Sequence, residues 1–235
     1  MWRGPKSTGW GEELERALAG TAQHPAARAL AEVHDQRPLP REAVTELLEG
    51  VAMDLEYGAY PGFRELSIYC HRVGGAPVRL AVAACGADTA ASAQFAHDLG
   101  MALPLIRGLR RLRPQLESGH TLIPDDELED AGLGHRDLLE RPADPEVRAF
   151  LDTQAERIEA FLDSALANVP PGEAPRLLPM SAHAHLYRRL LARLRVEGMP
   201  VLQGRQHLTP LRKLWYAWRF SRRARRRGRG HTQGV

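Results

Sequence analysis

Five acidic side chains, Asp125, Asp126, Glu127, Glu129 and Asp130, follow Pro124 almost without interruption. On a helix, Asp126 and Asp130 share a face at i, i+4, a spacing at which two carboxylates could hold a divalent ion. Directly after a proline the same residues also suit a first helical turn, where carboxylates meet the positive end of the backbone dipole. The position favours that capping role. His183 and His185 lie two apart, and on a helix that separation turns their rings about 200° from each other, away from a common ligand. Cys70 and Cys85 form no C-x-x-C or Cys/His pattern, which points to thiols in the interior rather than to a disulfide framework or a zinc site. No G-x-S-x-G, P-loop or G-x-G-x-x-G run is present, so hydrolase, nucleotide and dinucleotide chemistry have no foothold.

The elements that must position any site are helical throughout. Short helices are expected over Trp10 to Ala19 and His24 to His34, and Pro38 and Pro40 punctuate the loop before Arg41 restarts the pattern. Val44, Leu47, Leu48, Val51 and Leu55 recur at helical spacing up to the break YGAYPG, and Phe63, Leu66, Tyr69, Cys70 and Val73 line the next helix. Gly74, Gly75 and Pro77 are then expected to loosen or kink the backbone. Asp88 is the candidate N-cap of a helix whose Phe95, Leu99, Leu103 and Ile106 face inward, with a bend at Pro104. Asp144 and Pro145 supply an N-cap and a first-turn proline for a helix reaching Asn168, with Phe150, Leu151, Ile158, Phe161 and Leu162 as its buried stripe. Further helices run through SAHAHLYRRLLARLRVEG and from near Leu208 onward. No strand pattern competes, and no repeat is evident.

At 235 residues and 43% hydrophobic composition, the chain can bury one sizeable core, so one domain over 1–210 followed by a basic, aromatic helix and tail over 211–235 is the expected division. Nine of the 32 basic residues, Arg212, Lys213, Arg219, Arg222, Arg223, Arg225, Arg226, Arg227 and Arg229, lie in one acid-free stretch, which leaves 23 basic against 29 acidic residues elsewhere. The body is acidic and the tail basic, so affinity for an anionic surface should reside in the tail. The N-terminal stretch has no uninterrupted apolar core and no run of about 18 apolar residues occurs, which argues against a signal peptide and a spanning helix and makes the cytoplasm the default location.

The central segments GVAMDLEYGAYPGFRELSIYCHRVGG and AHDLGMALPLIRGLRRLRPQLESGHTLIP resemble the squalene/phytoene synthase family, the head-to-head prenyl transferases of the all-helical terpenoid synthase fold. The matching features are a Gly-x-x-x-Asp helix (Gly50, Asp54), an EL-x-x-Y-C helix running into V-x-G (Glu65, Leu66, Tyr69, Cys70, Val73, Gly75), an A-x-x-LG-x-AL helix (Ala96, Leu99, Gly100, Ala102, Leu103) and a Gly-x-x-x-x-Pro exit (Gly119, Pro124). LYRRLLARLRVEGMPVLQGRQHLTPLRKLW is similar to the family's closing helices, so the resemblance spans about residues 10 to 217. It implies a single all-α domain with helices around a central cavity.

The family's chemistry, as the resemblance implies it, depends on two aspartate-rich helices whose carboxylates hold Mg²⁺ against a departing diphosphate. The first would precede the helix near Trp10, and the chain starts too late to contain it. For the second, aligning Gly119 and Pro124 with the family's Gly and Pro sets Arg111 and Gln115 at the metal-binding aspartates and Arg107 at the usual Asn. A cation at such a place reverses its sign. The sequence is therefore expected to have no catalytic or metal-ligating residues of its own, and no cofactor, Mg²⁺ entering only if an active prenyl transferase is completed by an aspartate-rich motif from a partner chain. Otherwise the chain binds a prenyl lipid or prenyl diphosphate, or serves as a protein partner or assembly subunit, with Asp54, Tyr69, Arg107, Arg111 and Gln115 at the cavity. Arg107, Arg110 and Arg111 fit either a solvated face or a direct diphosphate site, and Tyr69 either the core or a prenyl contact. Leu211, Leu214, Trp215 and Trp218, spaced i, i+3, i+4 and i+7, suit an anionic membrane surface. The alternatives are that the indoles pack on the domain and that the arginines bind RNA, the latter less favoured for want of a folded nucleic-acid module.

Overall fold

The computed structural model describes residues 6–56, 58–203 and 209–230. The chain folds as α1 (Lys6–Leu18), α2 (Pro25–Gln36), α3 (Arg41–Glu56), α4 (Phe63–Cys70), a π-helical turn (His71–Gly75), α5 (Ala76–Ala84), α6 (Ala90–Arg110), α7 (Leu112–Ser118), α8 (Asp125–Asp130), α9 (His135–Glu140), α10 (Pro145–Ala167), α11 (Ala174–Val196), a 3-10 turn (Pro200–Leu202) and α12 (Pro210–Gly230). Among the described residues the β-type pairing is a single isolated bridge between Tyr60 and Pro124.

α6 is the central element, with α4, the π turn and α5 on one side and α10 on another, and α11 packed outside α10. Its burial explains the position: Phe95, Leu99 and Ile106 are buried on one side and Met101, Pro104 and Leu105 on the opposite one, whereas a helix at the surface would hide only one face. Thr89, not Asp88, is the N-cap. Its hydroxyl accepts the Ser92 N–H at 3.2 Å, and the Glu173 carboxylate at the head of α11 accepts both Thr89 Oγ1, at 2.8 Å, and Asp88 N, at 3.0 Å. That carboxyl is held below the ordinary glutamate range, chiefly by the Ser92 hydroxyl. Asp144 caps α10 as its sequence suggests, accepting from Glu146 N at 2.9 Å.

Pro104 leaves α6 continuous. Proline has no N–H to offer the carbonyl four residues back, so it frees that of Gly100, and it is against Gly100 that the π turn packs. A Cβ on Gly74 would meet Gly100 O and stand 2.6 Å from Pro104 Cγ; one on Gly100 would meet Gly75 Cα and stand 2.7 Å from Gly75 N. The two backbones touch here because three residues lack a side chain. Gly74 and Gly75 thus do more than loosen the chain: with a π turn the helix passes from α4 into α5 while its backbone lies on α6. A Cβ on Gly50 would stand 2.7 Å from Arg72 Cβ and 2.8 Å from Val73 Cγ1, so α3 also crosses the same turn closely.

Several expectations shift. On α3, Val44 is buried but Leu47 and Leu48 only half so, and Val51 is exposed; the side chain of Leu55 lies outside the described residues. Cys70 is buried and Cys85 half-buried, both free thiols. α11 begins seven residues earlier than the SAHAH run, with Pro175 in its first turn and Pro179 within it. Ala17, Ala27 and Ala31 make a small separate core between α1 and α2. Glu13 secures that hairpin by accepting the backbone N–H groups of Gln23 and His24, each at 2.6 Å, and these bonds together with Arg16 hold its carboxyl down at about 2.

Candidate functional site: a cationic cleft at the end of the central helix

Asp54, in the last turn of α3, and Tyr69, on α4, come together because Gly50 lets α3 cross closely over the π turn that follows α4. The Tyr69 phenol and the Asp54 carboxylate border the same space, and burial, followed by that carboxylate, pushes the phenol well above its ordinary range. Tyr69 therefore stays protonated and serves as a donor. Its ring lies 5.3 Å from that of Tyr60. Burial likewise raises the neighbouring Cys70 thiol to about 12, which leaves it inert as a nucleophile.

The facing wall is cationic. α6 ends at Arg110 and α7 starts at Leu112; the residue between them, Arg111, bonds back only three positions, to Gly108 O at 3.0 Å, and redirects the chain. Arg107, Arg111 and Gln115, spaced four apart along this line, look into the same cleft, a space of about 230 Å³ bordered also by Asp54, Tyr60, Tyr69 and Thr121. Its rim is held by two loops: Thr121 N donates to Gly58 O at 2.9 Å, Asp125 N to Tyr60 O at 3.0 Å and Asp126 N to Pro61 O at 3.0 Å. Among the described residues neither Arg107 nor Arg111 has a carboxylate in a salt bridge, and both side chains are exposed. Gln115 Oε1 is buried without a hydrogen-bond partner there.

All five cavity residues named from the sequence thus meet in one place. Arg110 does not join them: its guanidinium lies over the Tyr187 ring of α11, 5.7 Å from the centroid. The residues the sequence did not single out are Gly58, Tyr60, His120, Thr121 and Leu122, which belong to the break YGAYPG and to the stretch between Gly119 and Pro124. Those stretches read as punctuation, although the pairing of their backbones forms the rim. A larger groove of about 700 Å³, lined by Glu46, Glu49, Phe63, His71, His97 and Phe161 among others, lies elsewhere. There Glu46 faces both Arg79 and His71, and burial lowers the His71 pKa against the opposing pull of Glu46.

The acidic run has structural employment. Asp126 Oδ1 accepts Glu127 N at 2.7 Å, Asp125 faces His135 at 3.2 Å, and Glu127 accepts from Arg157 at 2.6 Å and Gln154 at 2.8 Å. His183 and His185 part as their spacing requires, the first against Tyr187 and the second against Phe220.

This is an all-helical protein of the terpenoid synthase fold with a cleft at one end of its central helix. A family model described as squalene/phytoene synthase matches residues 5–212, and the chain belongs to that family. Phytoene synthase 1 of Arabidopsis thaliana is 28% identical over 211 residues, covering 87% of this chain and 50% of the relative. Phytoene synthase of Mycobacterium tuberculosis is 29% identical over 189 residues, covering 79% and 62%. Squalene synthase HpnC from Alicyclobacillus acidocaldarius superposes with a TM-score of 0.72 at 27% identity, over 82% of this chain and 73% of its own. A dehydrosqualene synthase solved in complex with ligand shares the fold, with a TM-score of 0.81 at 18% identity, over 95% and 79%. The chain spans about half the length of the phytoene synthases of Arabidopsis thaliana and Zea mays that it matches.

The family resemblance implies Mg²⁺, and the donors in this cleft do not make a site for it. Mg²⁺ asks for several hard oxygen ligands at octahedral positions. Asp54 is the one carboxylate among the described residues lining the cleft, and two guanidinium groups line it as well. Among the described residues no group of three or more His, Cys, Asp or Glu side chains stands ready to hold a metal ion.

Proposed function

We infer that the chain binds a prenyl diphosphate, or a related anionic prenyl lipid, at this cleft and does not ionise it, acting as a binding or partner subunit of isoprenoid metabolism. The observation that carries the reading is the pair Arg107 and Arg111, i, i+4 on one wall, without carboxylate partners among the described residues and open to the cleft. Guanidinium groups present planar forks that match phosphate oxygens two at a time, so they neutralise a diphosphate without a metal. Tyr69, kept protonated by burial and by the nearby Asp54 carboxylate, and the Gln115 amide border the same space. Holding a leaving group differs from expelling it. Heterolysis of an allylic diphosphate needs charge stabilisation that grows toward the transition state, and two solvent-exposed cations bind ground state and transition state nearly alike.

A second reading rests on the family match: a partner supplies the acidic helix and the two chains make one active centre. One assay separates the two. The purified chain, incubated with Mg²⁺ and farnesyl or geranylgeranyl diphosphate, is expected to release no diphosphate above the protein-free rate. Turnover by the chain alone would refute the inference, and turnover that appears only on adding a second chain of the family would establish the shared site.

A further inference from the structure

The face of α12 turned away from the protein carries four large apolar side chains in the open. Leu211 is 80% exposed, Leu214 68%, Trp215 48% and Trp218 57%. At 100° per residue they fall within about 100° of one another, whereas Tyr216 and Phe220 lie about 140° and 180° around the helix from Leu211. Those two face the body. Tyr216 packs against the main core with Arg189 over its ring, and the Phe220 ring stacks on His185 of α11 at 4.8 Å. The expectation that the indoles themselves pack on the domain is thereby overturned. The helix is seated by one side and presents the other.

Cations are built into the exposed side. The Arg219 guanidinium lies 5.0 Å from the Trp215 ring centroid and that of Arg222 lies 5.2 Å from the Trp218 ring. No acidic residue occurs after Glu197. Among the described residues no helix is long and apolar enough to cross a membrane, so the stripe suits a surface rather than a span.

The geometry points to α12 as a docking helix that lays Leu211, Leu214, Trp215 and Trp218 into the headgroup region of an anionic bilayer while its arginines meet the phosphates. Indoles favour that boundary because one edge is apolar and the other carries an N–H. Arginine at an anionic surface raises affinity by about fivefold for each side chain in register. A second copy of the chain fits poorly, since pairing the stripes would bring Arg219 and Arg222 against their own counterparts. RNA would engage the arginines and leave two leucines and two indoles in water.

The test is co-sedimentation of the full chain with vesicles of phosphatidylcholine containing about 30% phosphatidylglycerol, alongside vesicles of phosphatidylcholine alone and a fluorescent oligoribonucleotide. Binding is expected to favour the anionic vesicles by at least tenfold, to be lost in about 0.5 M salt, and to shift the tryptophan emission to the blue. W215A/W218A should weaken vesicle binding about tenfold or more, and R219E/R222E should abolish the preference for anionic lipid. All four residues are exposed, so circular dichroism should match the parent. Vesicle binding unchanged in W215A/W218A would overturn the proposal. So would oligonucleotide binding without vesicle binding, or a dimer in solution that W215A/W218A dissociates while vesicles are ignored.

Discussion

Replacing Arg107 and Arg111 together by glutamate is expected to weaken binding of farnesyl diphosphate by roughly a hundredfold or more. A hydrogen bond to a charged group is worth about 1.5 to 3 kcal/mol, and exposure discounts such contacts. Losing both forks should therefore cost about 3 kcal/mol, or about two decades in Kd. The glutamates add repulsion, because they stand beside Asp54 in the same cleft. Arg110→Ala is the internal control: its guanidinium lies over Tyr187 on the α11 side, so its affinity should stay within about twofold of the parent. The double variant should fold normally, since neither arginine is in a salt bridge among the described residues. Calorimetric titration of the three proteins measures this directly. Equal loss from Arg110→Ala would place the anion elsewhere on the helix end.

Gly100→Val should destabilise the fold by about 4 kcal/mol and lower the melting temperature by about 10 °C. The reason is that a Cβ there meets the backbone of Gly75, its nitrogen at 2.7 Å, and backbone cannot swing aside as a side chain can. The π turn would have to lift from α6. Tyr69 leads into that turn and Arg107 lies two turns along α6 from the contact, so the walls of the cleft would part with it. Diphosphate affinity should fall even where the variant remains folded. Gly172→Ala is the fitting comparison: a Cβ there has nothing within 4 Å, and its effect should stay within about 0.5 kcal/mol. Thermal melts of both variants decide it, and a melting temperature for Gly100→Val equal to the parent's would mean that the helices do not cross as described.

The apolar stripes that build the core were plain in the sequence because helical periodicity is local: Phe95, Leu99 and Ile106 on α6, and Leu151, Ile158 and Leu162 on α10, are buried as their spacing requires. Asp144 was legible for the same reason, an acidic side chain directly before Pro145. What escaped depends on partners distant in the chain. Gly74, Gly75 and Gly100 look like flexible or small residues until α6 and the π turn are laid against each other, after which their lack of side chains becomes a requirement. Thr89 displaced Asp88 as the cap because Glu173, far along the chain, draws on Asp88 N and both nearby hydroxyls. The five cleft residues were reached through the family pattern rather than through any local signal. Arg110 shows the limit of that route. It adjoins Arg111 in sequence, but a step of one residue turns it about 100° away, toward an aromatic ring that only the packing of α11 supplies.

The central claim is that this cleft holds a diphosphate by guanidinium groups and not through a metal ion. Titration of the full chain with farnesyl diphosphate in EDTA, repeated with millimolar Mg²⁺, tests it most directly. The account predicts saturable binding in EDTA, with Mg²⁺ changing Kd by no more than about threefold, since the ion would compete for the same oxygens that the arginines contact. Binding that vanishes in EDTA and returns with Mg²⁺ would contradict it, and would mean that acidic ligands other than those lining this cleft hold the metal.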